Sequence, residues 1–428
     1  MFALRRTTPR ALALLQLACS MSRGRRKPKG PRLPPKVLQR PDNGIPLVAQ
    51  CYPERYDELL QEKVAKLEAA LRSATSYAPF PQVEVHESER EHFRMRAAFA
   101  VWHVGEEPDC TRHFVMYEKG DDSRDPHVTV EFPMGSRRIN ELMPIVREAI
   151  QPPALGRKII DVRFLTTQKG DALIALAYNR DLKGCQDFST EDWTQAAQDL
   201  HEKTGATIVG RSRKVKLVVG ADDDTVAEEL TVNGRVLTYA QQEGAFTQPN
   251  AGVCEQMLGW AVDATKESEG DLCELYCGGG TFTVALAPNF DQVVATELSK
   301  ASVALAERNL AANAVENVRV ARVPAEEVAA ALKTGATPRR LQALDVDLAS
   351  MGRGSLFVDP PRAGLDKTCS QIAAGFDRIV YVSCNPETLA RDVRLLTPTH
   401  AVKRVAAFDQ FPYTDHLECG VVLERRVD

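Results

Sequence analysis

The chain has 428 residues, of which 44% are hydrophobic and 26% charged, and its formal net charge is −4. This length allows two or three domains with sizeable cores, and no apolar run approaches the roughly 20 residues that a membrane-spanning helix needs. The ten cysteines are scattered and include no CxxC pair, which argues against a zinc or iron–sulfur site. Scattered thiols in a large chain predict reduced cysteines inside a cell.

The first 40 residues differ from the rest in charge. They carry eleven Lys and Arg, no Asp or Glu, and the apolar stretch ALALLQLA. This composition predicts a basic leader over residues 1–45, either disordered or a transit peptide to a mitochondrion or plastid; without such targeting the chain is expected in the cytoplasm. A secretory signal and a basic tail that binds nucleic acid are the alternatives. The remaining chain is acidic, so any contact with RNA must be local.

The region from about 46 to 245 has the pattern of an α+β domain. An amphipathic helix is predicted over 50–73, where Leu60, Val64, Leu67 and Leu71 recur at helical spacing. Short alternating strands follow over 93–240, and they predict an antiparallel sheet.

Turn and cap signals mark further elements of this region. Lys169-Gly170-Asp171 and Asn233-Gly234 predict two hairpins. A helix is predicted over 136–150, and another begins near Ser189, where Ser-Thr-Glu-Asp forms a capping box.

Residues 246–428 show a strand–loop–helix rhythm, which predicts a Rossmann-like, doubly wound parallel sheet. In such sheets ligands bind at the carboxyl ends of the strands. The loop ELYCGGGTF (274–282) follows one strand, and Glu297 ends the next, where a carboxylate can bind the hydroxyls of a ribose. No phosphate-binding motif is present, and Asp271 and Glu274 would repel a pyrophosphate. The loop therefore favours S-adenosylmethionine over NAD, with an ordinary tight turn as the alternative.

Two further strand ends carry reactive groups. FVDPPRAGL (357–365) holds Asp359 in a stiff loop, with a rigid turn and a solvated Asp as the alternative. Arg362 stands where methyltransferases of exocyclic amines have a stacking aromatic, which argues against that reaction. VSCNPETLARD (382–392) places Cys384 after a strand. A thiolate there can add to C6 of uracil and make C5 nucleophilic, although a cysteine can also be core filler.

This chemistry requires a base that removes the C5 proton after methyl transfer. In FPYTDHLECGVVL (411–423), Glu418 precedes an apolar strand, and burial would raise its pKa into a useful range. His416 is a rival for the role, and surface positions for both are the alternative.

The pair of histidines in HESEREH (86–92) lacks the spacing of a zinc-binding helix.

FTQPN (246–250), ELYCGGGTF, VVATEL, FVDPPRAGLD, YVSCNPETL and FDQFPYTDHLECGVVL follow one another as in a known family. The chain resembles the tRNA (uracil-5-)-methyltransferases of the TrmA type over about residues 50–428. The resemblance implies S-adenosylmethionine-dependent methylation of C5 of uridine 54 in the T-loop of tRNA. It implies Cys384 as nucleophile and Glu418 as proton acceptor, and a donor site formed by Gln248, Tyr276, Gly278, Gly280, Thr281, Glu297 and Asp359.

FRMRAAF (93–99) and FLTTQKGDAL (164–173) look like the family's RNA-binding domain, so the resemblance implies an RNA-binding domain over 46–245 and a methyltransferase domain over 246–428. Thr281 replaces the Asn of the family's glycine loop, and Ile160 replaces an aromatic that fills the gap left by the flipped uridine. Because the chain after the leader is acidic, local RNA contacts are expected from Arg94, Arg96, Arg211, Arg213 and Lys214, with an ordinary exposed strand face as the alternative for each. The iron–sulfur cysteines of related ribosomal RNA enzymes are absent, which favours a tRNA enzyme without metal, expected to be monomeric. A tRNA-folding factor, an enzyme for another RNA and a non-RNA methyltransferase remain alternatives.

Overall fold

The computed structural model describes residues 36–75, 79–107, 109–118, 125–183, 189–213, 215–335, 339–342 and 354–426. Most of the predicted basic leader, together with Cys19, Cys185 and Lys214, therefore lies outside the described residues. Across the described ranges, none of the helices combines the length and the hydropathy that spanning a membrane requires. The targeting role of the leader stays a prediction.

Seventeen strands occur in the described residues. They are β1 (Val83–His86), β2 (Arg96–Val104), β3 (Thr111–Tyr117), β4 (Pro126–Val128), β5 (Ile159–Thr166), β6 (Ala172–Tyr178), β7 (Thr207–Ser212), β8 (Val215–Val219), β9 (Thr225–Val232), β10 (Arg235–Gln242), β11 (Leu272–Leu275), β12 (Val293–Thr296), β13 (Val318–Ala321), β14 (Ser355–Val358), β15 (Arg378–Ser383), β16 (His400–Phe408) and β17 (Glu418–Arg425).

The α-helices of the same ranges are Tyr56–Ala74, Arg137–Ala149, Pro153–Gly156, Thr190–Thr204, Ala251–Thr265, Thr281–Leu286, Lys300–Ala312, Ala325–Thr334, Arg339–Gln342, Lys367–Ala373 and Pro386–Leu396. The three helices predicted in the N-terminal half are all present. Ser189 caps the helix Thr190–Thr204 by accepting a hydrogen bond from the backbone N–H of Asp192, so the predicted cap is confirmed.

The N-terminal sheet has seven strands in the order β4-β3-β2-β5-β6-β7-β8. Neighbours are antiparallel, as predicted, with one exception: β6 and β7 are parallel. The helix Thr190–Thr204 connects these two strands, and a crossover helix returns the chain to the same end of the sheet, which makes the next strand parallel. The expectation of a purely antiparallel sheet was wrong at this pair.

The hairpin predicted at Asn233-Gly234 is present, and both residues have positive φ, as a tight two-residue turn requires. Its strands β9 and β10 form a separate two-stranded sheet. This sheet contacts the C-terminal half, because the backbone N–H of Thr238 donates to Asn313 Oδ1 at 2.9 Å.

The C-terminal sheet has eight strands in the order β1-β16-β17-β15-β14-β11-β12-β13. All its pairs are parallel except those that β17 makes with β15 and β16. Two clusters of buried apolar side chains cover its two faces, and each cluster includes residues from the flanking helices. The Rossmann-like, doubly wound methyltransferase architecture is therefore confirmed, with one reversed strand.

Two segments that precede the N-terminal sheet belong to the C-terminal one. Strand β1 pairs in parallel with β16, and the helix Tyr56–Ala74 packs its Leu67 and Leu71 into the core beneath that sheet. Both segments fall within the predicted RNA-binding domain 46–245. The division of the chain at 245 stays a prediction, but the packing of these segments crosses it.

Candidate active site

The carboxyl ends of the parallel strands meet at one edge of the C-terminal sheet. Tyr276, Glu297, Asp359 and Cys384 each follow immediately after a strand, namely β11, β12, β14 and β15. Glu418 reaches the same edge from its amino end, because β17 runs in the opposite direction to β15. Ser383 is paired with Cys419, so Cys384 and Glu418 are the next positions along the two strands.

A cavity of about 460 Å³ opens at this edge. The residues predicted for catalysis or donor binding that line it are Gln248, Tyr276, Gly278, Thr281, Asp359, Cys384 and Glu418, and Arg96, predicted to contact RNA, lines it as well. His416, the rival base, also lines it. The structure therefore places both predicted catalytic side chains and most of the predicted donor-binding residues around one space.

The glycine loop turns sharply beneath this cavity. Tyr276, Gly278 and Gly280 all have positive φ, of 64°, 56° and 78°. A tyrosine in this region is strained, and such strain concentrates at functional sites. A Cβ on Gly280 would stand 3.2 Å from the Cβ of Ala306, so the loop also packs closely on the helix Lys300–Ala312. These conformations bring the backbone of the loop against the space above it.

Glu297 and Gly280 support the loop without lining the cavity. One Glu297 oxygen accepts a hydrogen bond from the Gly278 N–H at 3.1 Å, and the other accepts one from the Ser299 N–H at 2.7 Å. The carboxylate is thereby fixed at the end of β12, beside the loop. This is the position in which a carboxylate binds a ribose in sheets of this type.

Buried acceptors in the cavity wall lack donors among the described residues. Gln248 Oε1 and Glu274 Oε2 have no hydrogen-bond partner there, and unsatisfied buried acceptors are costly. Asp359 adds a second carboxylate to the wall. A ligand that brings N–H and O–H donors and positive charge would satisfy this set, and S-adenosylmethionine has both. The residues therefore fit the donor predicted from the sequence.

The SCNP motif fixes the position of Cys384. The Asn385 side chain caps the helix Pro386–Leu396 by accepting from the Glu387 N–H at 3.0 Å, and Pro386 takes the first helical position. Asn385 Nδ2 also donates to the backbone oxygen of Arg362 at 3.3 Å. Cys384 is thus held between the end of β15 and a capped helix, and its half-buried thiol faces the cavity.

Burial raises the pKa of Cys384, and the nearby carboxylates of Glu418 and Asp359 raise it further. The Arg362 guanidinium acts in the opposite direction, through its charge and a hydrogen bond to the thiol. A positive charge beside a cysteine stabilises the thiolate, which is the nucleophilic form. Arg362 is therefore the group in this site that favours thiolate.

Burial also raises the pKa of Glu418, and the charge of Asp359 adds to the effect. Glu418 is 4% exposed. The pKa of Asp359 is raised by burial as well. Two carboxyl groups close together resist simultaneous ionisation, so the pair can take up a proton near neutral pH.

Several residues that line the cavity had no predicted role in it. Among them are Arg362, which is charged, and the aromatic residues Phe246 and Phe411. Phe246 is 69% exposed, and the Arg96 guanidinium lies 5.2 Å from its ring centre. Phe246 lies in the loop between β10 and the helix Ala251–Thr265, and its position directly before the polar pair Thr247-Gln248 was the available signal.

The predicted RNA-contacting residues occupy different settings. Arg94 and Arg96 line a second cavity of about 360 Å³ together with Arg163 and Glu243, and Arg96 lines the active-site cavity as well. Arg211 forms an ion pair with Glu243, and burial lowers the pKa of Arg94 to about 10. Arg213 is exposed.

Ile160 stands apart from these basic residues. It is 50% exposed on β5 and lines neither cavity. In the described part of the chain, no three His, Cys, Asp or Glu residues are grouped so as to hold a metal ion.

Known protein sequences are similar to this chain over most of its length. The family model described as tRNA (Uracil-5-)-methyltransferase matches residues 55–426. A tRNA/tmRNA (uracil-C(5))-methyltransferase of Pseudomonas paraeruginosa is 50% identical over 379 residues, which cover 88% of this chain and 99% of that protein. One from Vibrio parahaemolyticus is 45% identical over 382 residues, covering 87% and 98%.

A solved structure shares the fold. It is the tRNA (uracil-54, C5)-methyltransferase of Pyrococcus abyssi in complex with S-adenosyl-L-homocysteine, with a TM-score of 0.62, 19% identity, and coverage of 86% of this chain and 83% of that one. The motifs around the cavity, the family match over most of the chain and the near-complete coverage of its relatives lead to one conclusion: the chain belongs to the tRNA (uracil-5-)-methyltransferase family.

Proposed function

We propose that this enzyme methylates C5 of uridine 54 in the T-loop of tRNA, using S-adenosylmethionine and a covalent adduct between Cys384 and C6 of the uracil. The observation that carries the proposal is the placement of Cys384 and Glu418 side by side at the edge of one cavity. A nucleophile and a proton acceptor on one face of a base are what this reaction needs.

The reaction begins at Cys384. With the base flipped into the cavity, the thiolate adds to C6, and the electrons of the C5–C6 double bond move to the C4 oxygen as an enolate. Arg362 favours the thiolate that this step requires. When bound, S-adenosylmethionine supplies an electrophilic methyl group to C5.

Glu418 completes the cycle. After methylation C5 carries both a methyl group and its original hydrogen. The Glu418 carboxylate takes this proton, the electron pair re-forms the C5–C6 double bond, and the bond between C6 and sulfur breaks to release the Cys384 thiolate. The raised pKa of Glu418 suits a group that must accept a proton at neutral pH and pass it on.

The donor-binding roles rest on the cavity wall. Gln248, Glu274 and Asp359 present acceptors toward the space, Tyr276, Gly278 and Thr281 form its floor, and Glu297 supports the loop. We expect the basic residues Arg94, Arg96 and Arg211 and the exposed Ile160 to contact the T-arm. Both catalytic groups come from one chain, so we expect the monomer to be active.

Nucleoside analysis tests this function. T-arm RNA is incubated with the protein and methyl-labelled S-adenosylmethionine, digested and separated. We expect labelled 5-methyluridine from position 54 and none from an RNA in which uridine 54 is replaced by cytidine. Label at another position, or in no nucleoside, would refute the proposal. Because the names of the relatives include tmRNA, a matching tmRNA fragment is the second substrate to test.

A further inference from the structure

Lys63 occupies a core position of the helix Tyr56–Ala74. The buried face of this helix contains Leu60, Leu67 and Leu71, and Lys63 falls on the same face between Leu60 and Leu67. It is only 6% exposed. Lysine is seldom buried without partners, because transfer of an ammonium group out of water costs several kcal/mol.

Three acceptors surround the Lys63 ammonium. It forms an ion pair with Asp409, whose side chain is 1% exposed, and it donates to the backbone oxygens of Phe411 at 3.2 Å and His416 at 3.3 Å. An ammonium has three N–H donors, so its hydrogen-bonding capacity is filled. All three acceptors belong to one loop, residues 409–417, which connects β16 to β17.

This loop supplies side chains to the active-site cavity. Phe411 and His416 line the cavity, with ring centres 6.0 Å apart, and Glu418 follows directly after the loop. Lys63 bonds the backbone at both ends of the segment that separates these two rings. Lys63, which lies more than 300 positions earlier in the chain, therefore fixes the separation of Phe411 and His416.

The same loop is tied to the donor side of the cavity. Gln410 Oε1 accepts a hydrogen bond from the backbone N–H of Asn250 at 3.1 Å. Asn250 caps the helix Ala251–Thr265 and lies two residues after Gln248. Cys384, in contrast, precedes a capped helix, where the Asn385 side chain bonds Glu387 and Arg362 rather than the loop.

We propose that Lys63 is a positioning residue that holds loop 409–417, and through it the Glu418 carboxylate, in place for removal of the C5 proton. This inference rests on the proposed function. Apolar residues at 63 and 409 would fill the same volume without desolvating two charges. Such apolar residues would not make the two hydrogen bonds that Lys63 donates to the backbone oxygens of Phe411 and His416.

The test is a single-turnover experiment on the full chain with T-arm RNA. Lys63→Met removes the ammonium at similar volume, and Lys66→Met, an exposed position on the same helix, is the matched control. Formation of the covalent protein–RNA complex and its resolution to methylated RNA are timed separately. We expect Lys63→Met to slow resolution at least tenfold more than formation, Lys63→Arg to recover part of the loss, and Lys66→Met to match the wild type.

A second variant separates positioning from stability. Lys63→Met leaves Asp409 buried without its counter-charge, so the Tm should fall, and adding Asp409→Asn should restore part of the Tm. We expect the double variant still to resolve the adduct slowly, because the bonds to the two backbone oxygens remain absent.

The outcomes distinguish this inference from the function on which it depends. If the wild type forms no covalent complex, the proposed mechanism fails. If the wild type forms and resolves it, but folded Lys63→Met does both at rates reduced equally or not at all, the positioning role of Lys63 is overturned while the mechanism stands.

Discussion

Glu418 lies beside Cys384 across the antiparallel pair of β15 and β17, because Ser383 and Cys419 are partners in the register of these strands. The reversal of β17 is what creates this relationship. If β17 ran parallel to its neighbours, its amino end would lie at the opposite edge of the sheet. The strand pairing thus brings the proton acceptor to this edge of the sheet, and the contacts of Lys63 fix the loop that leads into it.

Cys384→Ala should abolish methylation and leave binding of T-arm RNA within about twofold of wild type, because the thiol contributes chemistry rather than affinity. Cys51→Ala is the matched control, since Cys51 is the other half-buried free cysteine among the described residues. Methyl incorporation and RNA retention on a filter measure the two properties. Residual methylation by Cys384→Ala would remove the thiol from the mechanism.

Glu418→Gln should form the covalent complex with RNA but release it slowly, since the amide cannot accept the C5 proton. The complex should persist on denaturing gels and slow turnover by a factor of about 10² to 10⁴, the usual contribution of a general base. Glu424→Gln, on the same strand but away from the cavity, serves as the control. Normal turnover by Glu418→Gln would transfer the role to another group, with His416 next to be tested.

Arg362→Met should change the pH dependence of adduct formation. The guanidinium lowers the pKa of the Cys384 thiol, so its removal raises that pKa and reduces the thiolate fraction at neutral pH. The rising part of the rate profile should move to higher pH, and adduct formation at pH 7 should slow about tenfold for each pH unit by which the profile moves. Arg394→Met, on the exposed side of the following helix, should leave the profile unchanged. An identical profile for Arg362→Met and the wild type would show that the guanidinium charge does not act on the thiol.

Glu274→Gln should change stability in a pH-dependent way. Burial raises the pKa of Glu274 from its usual 4.5 to about 8 in the folded state. Because the folded state holds this proton more tightly than the unfolded state, protonation of Glu274 stabilises the folded protein fully at pH values below about 4.5. This stabilisation is lost as the pH rises through 8, by at most about 1.4 kcal/mol per pH unit.

Thermal unfolding without the donor measures this effect. The Tm of Glu274→Gln relative to the wild type should increase between pH 5.5 and pH 8.5, because the neutral amide has no proton to lose. Exposed Glu269→Gln should show a constant difference. A constant difference for Glu274→Gln as well would mean that this carboxyl ionises normally.

Ile160→Phe should tighten binding of T-arm RNA, because a flat ring stacks on bases better than a branched aliphatic side chain. Ile160→Asp should weaken it by at least tenfold through repulsion of the phosphates. Val236, exposed on the separate β9–β10 hairpin, provides Val236→Asp as a control. Equal binding by the wild type and both Ile160 variants would place the T-loop elsewhere.

The residues at the strand ends were predictable from sequence because their signal is local. Each of Asp359 and Cys384 follows an apolar strand, and carboxyl ends of parallel strands share an edge. The helix at 56–74 was likewise visible in its apolar spacing. These features depend on neighbouring residues alone.

Other features depend on contacts between distant parts of the chain. Lys63 in a helical pattern predicts a solvated charge, and only the loop after β16 explains its burial. The pairing of β1 with β16 and the parallel pair β6–β7 are set by topology. The effect of Arg362 on the Cys384 thiol depends on how close the loops after β14 and β15 lie in the folded protein. None of these has a local sequence signal.

The covalent step is tested most directly with T-arm RNA that carries 5-fluorouridine at position 54. Fluorine at C5 cannot be removed as a proton is, so the methylated adduct cannot be resolved and should accumulate. Mass spectrometry of the digested complex should show one peptide, containing Cys384, bonded to a nucleotide that has gained a methyl group. An adduct on any other residue, or complete absence of an adduct while unmodified tRNA is methylated normally, would contradict nucleophilic catalysis by Cys384.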